Sequence, residues 1–187
     1  IQEVRKPETQ LHLFGVTRVE HVRDFARFGV TSFDSTSPFR RAFKDERDNY
    51  FTDEARYTAI RVPQVDANPK LKKRIRAGEV VQEKALRLER ACLDGLMSFD
   101  HRGNDSDLQK LVEVLHEYGQ LLDPKKDRRE AYARTLADRP WKECPCPICR
   151  KIGIHVVIFR GTERNKRRGF HNLYTFNNGL QRELEAI

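Results

Sequence analysis

The stretch QLHLFGVTRVEHVRDFARFGVTSFD, residues 10–34, decides the fold class. It begins with a short apolar run that ends at Gly15 and predicts a buried strand over residues 10–14. Arg18–Phe28 predicts a helix, because apolar residues recur at the spacing of one helical face, at Val19, Val22, Phe25 and Phe28. The β-branched and aromatic run Val30–Asp34 predicts the next strand. A strand, a helix and a strand in so short a span predict a βα unit that contributes to a parallel sheet.

The chain downstream changes its character twice. Tyr57–Val62 predicts a further strand, which Pro63 closes. Residues of about 68–139 are rich in Lys, Arg, Glu and Leu, and they predict an inserted helical hairpin or small bundle. Its predicted helices cover Leu71–Phe99, Leu108–Leu122 and Asp127–Ala137, with a turn at His101–Asp105. After Trp141 we predict an apolar strand over Ile152–Phe159, a basic loop over Arg160–Arg168 and a helix over Gly169–Ala186.

Composition restricts the class of protein. The chain has 187 residues, of which 38% are hydrophobic and 34% charged, and its net charge is +8. Its apolar runs stay well short of the roughly 18 residues that a membrane helix needs, and its start has no signal-peptide pattern. We therefore expect a cytoplasmic protein without a membrane partner. The positive charge favours a polyanionic partner such as nucleic acid.

Three cysteines indicate a metal site. Cys144, Cys146 and Cys149 lie within six positions, a spacing that suits a tetrahedral zinc site better than disulfides. The fourth ligand is expected to be His171, at the start of a helix after the basic loop, with His155 as its rival. Four protein ligands leave no open position, so such a zinc ion would be structural. Cys92 is interpreted as a small core residue rather than a ligand.

Two separate motifs resemble the tRNA-guanine transglycosylase family. The Cys-x-Cys-x-x-Cys motif is followed by His-Asn-Leu-Tyr at His171–Tyr174, as in that family's zinc site. Independently, LHLFGV at Leu11–Val16, GVTSFD at Gly29–Asp34 and the following Pro38 and Arg40 resemble the family's closing barrel strands. The resemblance covers roughly residues 8–62 and 140–187. The segment between them has no counterpart that we identify in the ordinary tRNA enzymes.

The resemblance implies a fold and a reaction. The α/β fold would be the C-terminal portion of a (β/α)8 TIM barrel, with a helical insertion and a zinc-binding module. The terminal βα units would occupy residues 1–67, the insertion 68–139, and the zinc module with the C-terminal helix 140–187. The reaction would exchange guanine in nucleic acid for a 7-deazaguanine base, preQ0-like, through a covalent intermediate on Asp34. Asp34 lies at the C-terminal end of a predicted strand, where barrels carry their catalytic groups.

The resemblance also implies binding residues. Phe14 would stack on the base, and Gly15 would let the backbone approach it. Contacts with nucleic-acid phosphates are expected from Arg40 and Arg41, and from the basic loop through Arg160, Arg164, Lys166, Arg167 and Arg168. The tRNA enzymes are expected to have a helical run between the last cysteine and the histidine. The strand and loop predicted here therefore favour the branch of the family that acts on DNA.

Other expectations concern what lies outside these residues. A complete barrel needs about 250 residues, and the chain begins with Ile1 rather than Met. We therefore expect a longer enzyme whose N-terminal barrel half supplies the general acid/base and the base-reading groups, and by analogy a homodimer. The alternatives are a tRNA-guanine transglycosylase proper, or a non-catalytic zinc module that binds nucleic acid. A further alternative makes the insertion a docking bundle for a protein partner.

Overall fold

The βα unit predicted from residues 10–34 is confirmed. The structure, a computed structural model, describes residues 6, 8–16, 19–102 and 107–186. Strands β1 (Leu11–Leu13) and β2 (Val30–Phe33) pair in parallel. They are connected by a 3-10 turn over Val19–His21 and helix α1 (Val22–Arg27). Arg18, where we predicted the helix to begin, lies outside the described residues, as do residues 103–105 of the predicted turn.

The first strand is less buried than predicted. Leu11 and Leu13 are half-buried, and His12 between them is exposed. Within the described ranges β1 has one partner strand, β2, so its other edge and much of its surface remain open. The apolar run would require further strands and helices around it to be covered fully.

The strand predicted over Tyr57–Val62 is two shorter strands in different sheets. After helix α2 (Ser37–Lys44), strand β3 (Tyr50–Phe51) pairs antiparallel with β4 (Arg56–Tyr57), and β5 (Ile60–Arg61) pairs in parallel with β6 (Ile158–Phe159). The two residues between β4 and β5 bond to side chains instead. Ala59 N–H donates to Asn49 Oδ1, and the Thr58 carbonyl accepts from Thr135 Oγ1. These bonds to side chains take the place of strand pairing, so the predicted strand is interrupted between β4 and β5.

The described residues of the insertion form four helices, one more than predicted: α3 (Pro69–Arg76), α4 (Gln82–Arg102), α5 (Leu108–Leu122) and α6 (Arg129–Asp138). The single helix predicted over Leu71–Phe99 is wrong. It is interrupted at Gly78, whose φ of 72° belongs to the left-handed region that ends helices. Val80 in the interruption is buried, and its burial favours the bend.

The last section is more helical than predicted. It contains α7 (Pro140–Glu143), α8 (Pro147–Ile152), a 3-10 turn over Gly153–Val157, β6 and the long helix α9 (Gly161–Glu185). The strand predicted over Ile152–Phe159 is therefore reduced to two residues, and the predicted basic loop is the first part of α9. Arg, Lys and Glu are good helix formers, so the charged run continues a helix readily.

Helix α9 is bound to the N-terminal section through Asn172. This buried side chain accepts from Phe51 N–H at 3.0 Å and donates to the carbonyls of Pro38 and Asn49, each at 3.1 Å. One amide thus connects α9 to the start of α2 and to β3. Buried side chains of all three sections form one hydrophobic cluster that includes Tyr50, Leu71, Leu96, Leu115, Trp141 and Ile158. Among the described helices, none is both long and apolar enough to cross a membrane.

Gly169→Ala should destabilise the protein, although alanine is ordinarily the better helix former. A Cβ at Gly169 would lie 2.7 Å from the ring of Phe39, where α9 packs against α2. Overpacking of this kind costs about 1–3 kcal/mol, more than the gain of about 1 kcal/mol in helix propensity. Gly119→Ala in α5 is the control, since nothing lies within 4 Å of its added Cβ. Urea unfolding should show a lower free energy of unfolding for Gly169→Ala and a slightly higher one for Gly119→Ala. Equal increases in both variants would contradict the close packing.

Candidate metal centre and strand-end site

Three cysteines and one histidine form a cluster suited to a metal ion. Cys144 lies between α7 and α8, Cys146 and Cys149 lie at the start of α8, and His171 lies inside α9. Their ligand atoms all lie within 4.8 Å of one another. His171 Nδ1 is 3.6 Å from the sulfur of Cys144 and 3.4 Å from the sulfurs of Cys146 and Cys149. The predicted ligand set is therefore brought together, with His171 in a helix interior rather than at a helix start.

The structure fixes the orientation of the imidazole. His171 Nε2 is 2.7 Å from the carbonyl oxygen of Phe51, which accepts a hydrogen bond, so Nε2 carries the proton. The lone pair of Nδ1 then points toward the sulfurs, as a metal ligand requires. The ring of Tyr50 stacks on the imidazole with a centroid distance of 4.1 Å and an interplanar angle of 10°. The neighbouring chain thus holds the histidine in a ligating position.

The distances from His171 Nδ1 to the cysteine sulfurs suit a tetrahedrally coordinated metal ion. Bonds of about 2.3 Å to sulfur and 2.0–2.1 Å to nitrogen give sulfur–nitrogen edges of about 3.6 Å, close to those observed. Hydrogen bonds from Cys144 and Cys149 lower the pKa of Cys146, which favours a thiolate in the cluster. Burial, and then the charge of Cys149, raise the pKa of Tyr50. Tyr50 therefore stays a phenol, whose hydroxyl lies 3.3 Å from the sulfur of Cys149 and donates to the carbonyl of Pro140 at 3.4 Å.

The two other candidates lie elsewhere. Cys92 is fully buried in α4, its thiol donates to the carbonyl of Val114, and burial raises its pKa to about 12. This confirms the prediction of a core residue. His155 lies in the 3-10 turn and is not part of the metal cluster. Sequence reasoning missed Tyr50 and Phe51, which lie 121 and 120 residues before His171 and have no motif that would link them to it.

Asp34 lies at the carboxyl end of β2, beside the end of β1. Its backbone N–H donates to the carbonyl of Leu13 at 3.2 Å, and its own carbonyl accepts from Val16 N–H at 3.0 Å. Gly15 N–H donates to Asp34 Oδ1 at 2.9 Å. One carboxylate oxygen is therefore held by backbone, while the side chain as a whole stays 59% exposed. The second oxygen, Oδ2, is the one that faces His12.

His12 lies beside this carboxylate, and Phe14 lies beside His12. Phe14 is 83% exposed, and His12 packs against its ring edge-to-face at 4.7 Å. His12 Nε2 lies 4.0 Å from Asp34 Oδ2, and its Nδ1 is 2.8 Å from Ser32 Oγ. Sequence reasoning missed His12, although strand alternation places it on the same face as Phe14. Two exposed arginines, Arg40 and Arg41, follow on α2.

The five basic residues at the start of α9 do not share one environment. Lys166 is exposed, and Arg167 is exposed and pairs with Glu163 at 3.0 Å. Arg160 forms a largely buried ion pair with Glu89 at 2.6 Å. Arg164 is half-buried, and burial lowers its pKa. Their predicted presentation on an exposed loop is therefore wrong for most of them, because the helix turns successive side chains to different faces.

Arg168 has a structural role in the protein interior. It is fully buried, and it donates to the carbonyls of Ala42 at 3.1 Å and Val156 at 3.2 Å and to Asn165 Oδ1 at 2.8 Å. Burial lowers its pKa to about 9. A side chain enclosed in this way does not reach a nucleic acid, so the predicted phosphate contact of Arg168 is wrong. It links α9 to α2 and to the turn before β6.

Arg168→Met should therefore act on stability. Methionine leaves buried carbonyls without a donor, and we expect a loss of about 2–4 kcal/mol in the free energy of unfolding. Lys166→Met, two residues away and exposed, should change it by no more than about 0.5 kcal/mol. Urea unfolding of both variants measures the difference. A tolerated Arg168→Met that instead weakens DNA binding would reverse the assignment.

The comparisons with known proteins give one informative relative. No family model matches the chain. A DNA-guanine transglycosylase from Salmonella montevideo is 48% identical to it over an alignment that covers 98% of the chain. The chain spans 45% of that protein's length. This similarity confirms the predicted resemblance to guanine transglycosylases, and the relative is one that is named for DNA.

Proposed function

We propose that the chain is part of a DNA-guanine transglycosylase, to which it contributes the nucleophile-bearing strand end and a structural zinc module. The observation that carries the proposal is the position of Asp34 at adjacent parallel strand ends in a chain 48% identical to such an enzyme. The preference for DNA rests on that relative, because the strand and loop that favoured it in the sequence are largely helical. The rest of the site would come from the N-terminal half of the barrel.

Asp34 would act as the nucleophile. Its free carboxylate oxygen attacks C1′ of the target nucleoside, and the bond from C1′ to guanine N9 breaks with its electron pair going to the base. Gly15 N–H, on the other oxygen, keeps the carboxylate oriented throughout. The general acid/base expected from the N-terminal barrel half protonates the departing guanine. The N9 atom of the incoming 7-deazaguanine base, preQ0-like, then attacks C1′ and releases Asp34, and its N9 proton passes to that same acid/base group. Two displacements replace one difficult step, and the nucleic-acid backbone stays intact.

The surrounding side chains would bind substrate. The exposed ring of Phe14 offers a stacking surface for a purine. Gly15, with a φ of 70°, adopts a conformation that a larger residue would resist. Arg40 and Arg41 on α2 would contact phosphates next to the target nucleoside. A zinc ion held by the three cysteines and His171 would staple α7, α8 and α9 together and take no part in the reaction.

Guanine incorporation tests the proposal. The full-length protein is incubated with radiolabelled guanine and, in separate reactions, with duplex DNA and with tRNA, and label in the polymer is counted. We expect label in DNA, and its release when a 7-deazaguanine base such as preQ0 is added. Label in tRNA alone would identify a tRNA enzyme. Label in neither polymer would favour the non-catalytic zinc module.

A further inference from the structure

Helix α3 of the insertion concentrates positive charge. Its sequence PKLKKRIR has five basic residues in eight positions and no acidic residue. The first turn of a helix favours negative charge, because the backbone N–H groups there are unpaired. Helix α3 has lysines in that turn instead. Lys73, Arg74 and Arg76 lie in the last turn, where the helix dipole favours cations, so only the lysines of the first turn are unfavourably placed for the isolated helix.

Three of these cations stay unneutralised. Lys70 pairs with Asp123 and Arg74 with Glu79. In contrast, the exposed side chains of Lys72, Lys73 and Arg76 make no ion pair with any residue that the structure describes. Together with Ala67 and Pro69 they line a shallow cavity of about 330 Å³, and no carboxylate among the described residues lines it.

The spacing of the three cations is unfavourable for the isolated protein. Lys72 and Arg76 are four residues apart, and Lys73 and Arg76 are three apart, so their side chains are neighbours on the helix surface. Like charges at these spacings repel each other. A solvated helix without a ligand would be more stable with a glutamate at one of these positions, because opposite charges at these spacings attract each other. The repulsion is relieved when a polyanion binds across them.

The backbone that presents these cations is fixed on its other side. Leu71 is fully buried, and the side chain of Asn68 accepts from Leu71 N–H at 3.0 Å and caps the helix. Arg74 Nη1 donates to the carbonyl of Leu121 at 2.7 Å, at the end of α5. The helix is therefore docked through one face and displays Lys72, Lys73 and Arg76 on the other. A prepared surface of this kind loses little entropy on binding.

We infer that Lys72, Lys73 and Arg76 form a binding surface for the phosphodiester backbone of duplex DNA, separate from the strand-end site of Asp34. The inference rests on the proposed function, since it assumes a DNA substrate. Lysine and arginine contacts to phosphates give affinity without sequence specificity. The insertion would thus hold the duplex while the strand-end site exchanges a base.

Salt dependence of DNA binding tests the inference. The full-length protein with Lys72→Gln, Lys73→Gln and Arg76→Gln is compared with wild type on a guanine-containing duplex of about 30 base pairs. Each lost phosphate contact lowers the slope of log K against log salt by about 0.9, so the slope should fall by about 2–3. Affinity at about 0.1 M salt should fall at least tenfold. The kcat for guanine exchange at saturating DNA should stay within about twofold of wild type.

Two control variants make the result specific. The first control removes the same charge from exposed positions of α4 and α5, with Arg87→Gln, Arg90→Gln and Lys110→Gln in one protein. Its slope of log K against log salt should stay close to that of wild type. Lys72→Arg, Lys73→Arg and Arg76→Lys keep the charge and should keep the wild-type slope. An unchanged slope in the α3 glutamine variant, or an equal fall in the α4 and α5 control, overturns the inference. Wild-type protein that binds duplex DNA but exchanges no guanine overturns the proposed function instead.

Discussion

Asp34→Asn in the full-length protein should abolish guanine exchange, lowering kcat by about three orders of magnitude or more. Asparagine keeps the size of the side chain and can still accept the hydrogen bond from Gly15 N–H at its Oδ1. The variant should therefore fold as the wild type does. Its amide nitrogen has no free electron pair for attack on C1′, so the covalent step is lost while DNA binding remains.

Incorporation of labelled guanine into DNA measures the rate, and a denaturant-resistant complex with DNA reports the covalent intermediate. Wild type should form this complex, and Asp34→Asn should not. Asp94→Asn provides a matched control, because Asp94 is exposed on α4 and the substitution is chemically the same. Exchange by Asp34→Asn within about tenfold of wild type would show that another group is the nucleophile.

Cys149→Ser should remove the metal and destabilise the protein by several kcal/mol. The hydroxyl is a poor zinc ligand, and the remaining ligands would be two thiolates and His171. Structural zinc sites contribute binding free energies of about 10–16 kcal/mol that count directly toward folding. The loss should spread beyond α8, because the sulfur of Cys149 also contacts the hydroxyl of Tyr50, whose ring stacks on His171.

Metal content per chain and thermal unfolding measure this effect. Wild type should carry about one zinc per chain and unfold at a lower temperature after chelation. Cys92→Ser is the control: Cys92 is equally buried but is no ligand, so the variant should keep its zinc and lose about 1–2 kcal/mol at most. A Cys149→Ser protein with its metal content and melting temperature unchanged would refute a four-ligand site.

The features that sequence predicted well are those with a local physical cause. Apolar spacing in residues 10–34 predicted the βα unit, since each periodicity lies within one element. The cysteine cluster was predictable because three thiols within six positions can reach one point without long-range folding. The environment of His171 was not predictable: Tyr50 and Phe51 approach it only after the chain has folded back over 120 residues. Such contacts depend on tertiary packing, to which a single sequence gives no access.

The errors have a common cause at the start of α9. A β-branched run before it, Ile152–Phe159, resembles a strand, and a charged run after Arg160 resembles a solvated loop. In the structure the first is mostly a tight turn, because its residues contact α7, α8 and α9 rather than a neighbouring strand over most of their length. The burial of Arg168 was missed for the same reason, since it depends on tertiary packing. Its charge predicted exposure, whereas the carbonyls that compensate for its desolvation come from segments that are distant in sequence.

The bonds of Asn172 also determine the order in which the chain can become native during its synthesis. The carbonyl of Pro38 and the N–H of Phe51 leave the ribosome more than 100 residues before the amide that bonds to both of them. Until then α2 lacks the helix that packs against it, and its apolar side stays available to chaperones or to wrong partners. Contacts between residues so far apart in sequence form slowly. The segment carrying Asp34 would therefore reach its final alignment late, when α9 has emerged.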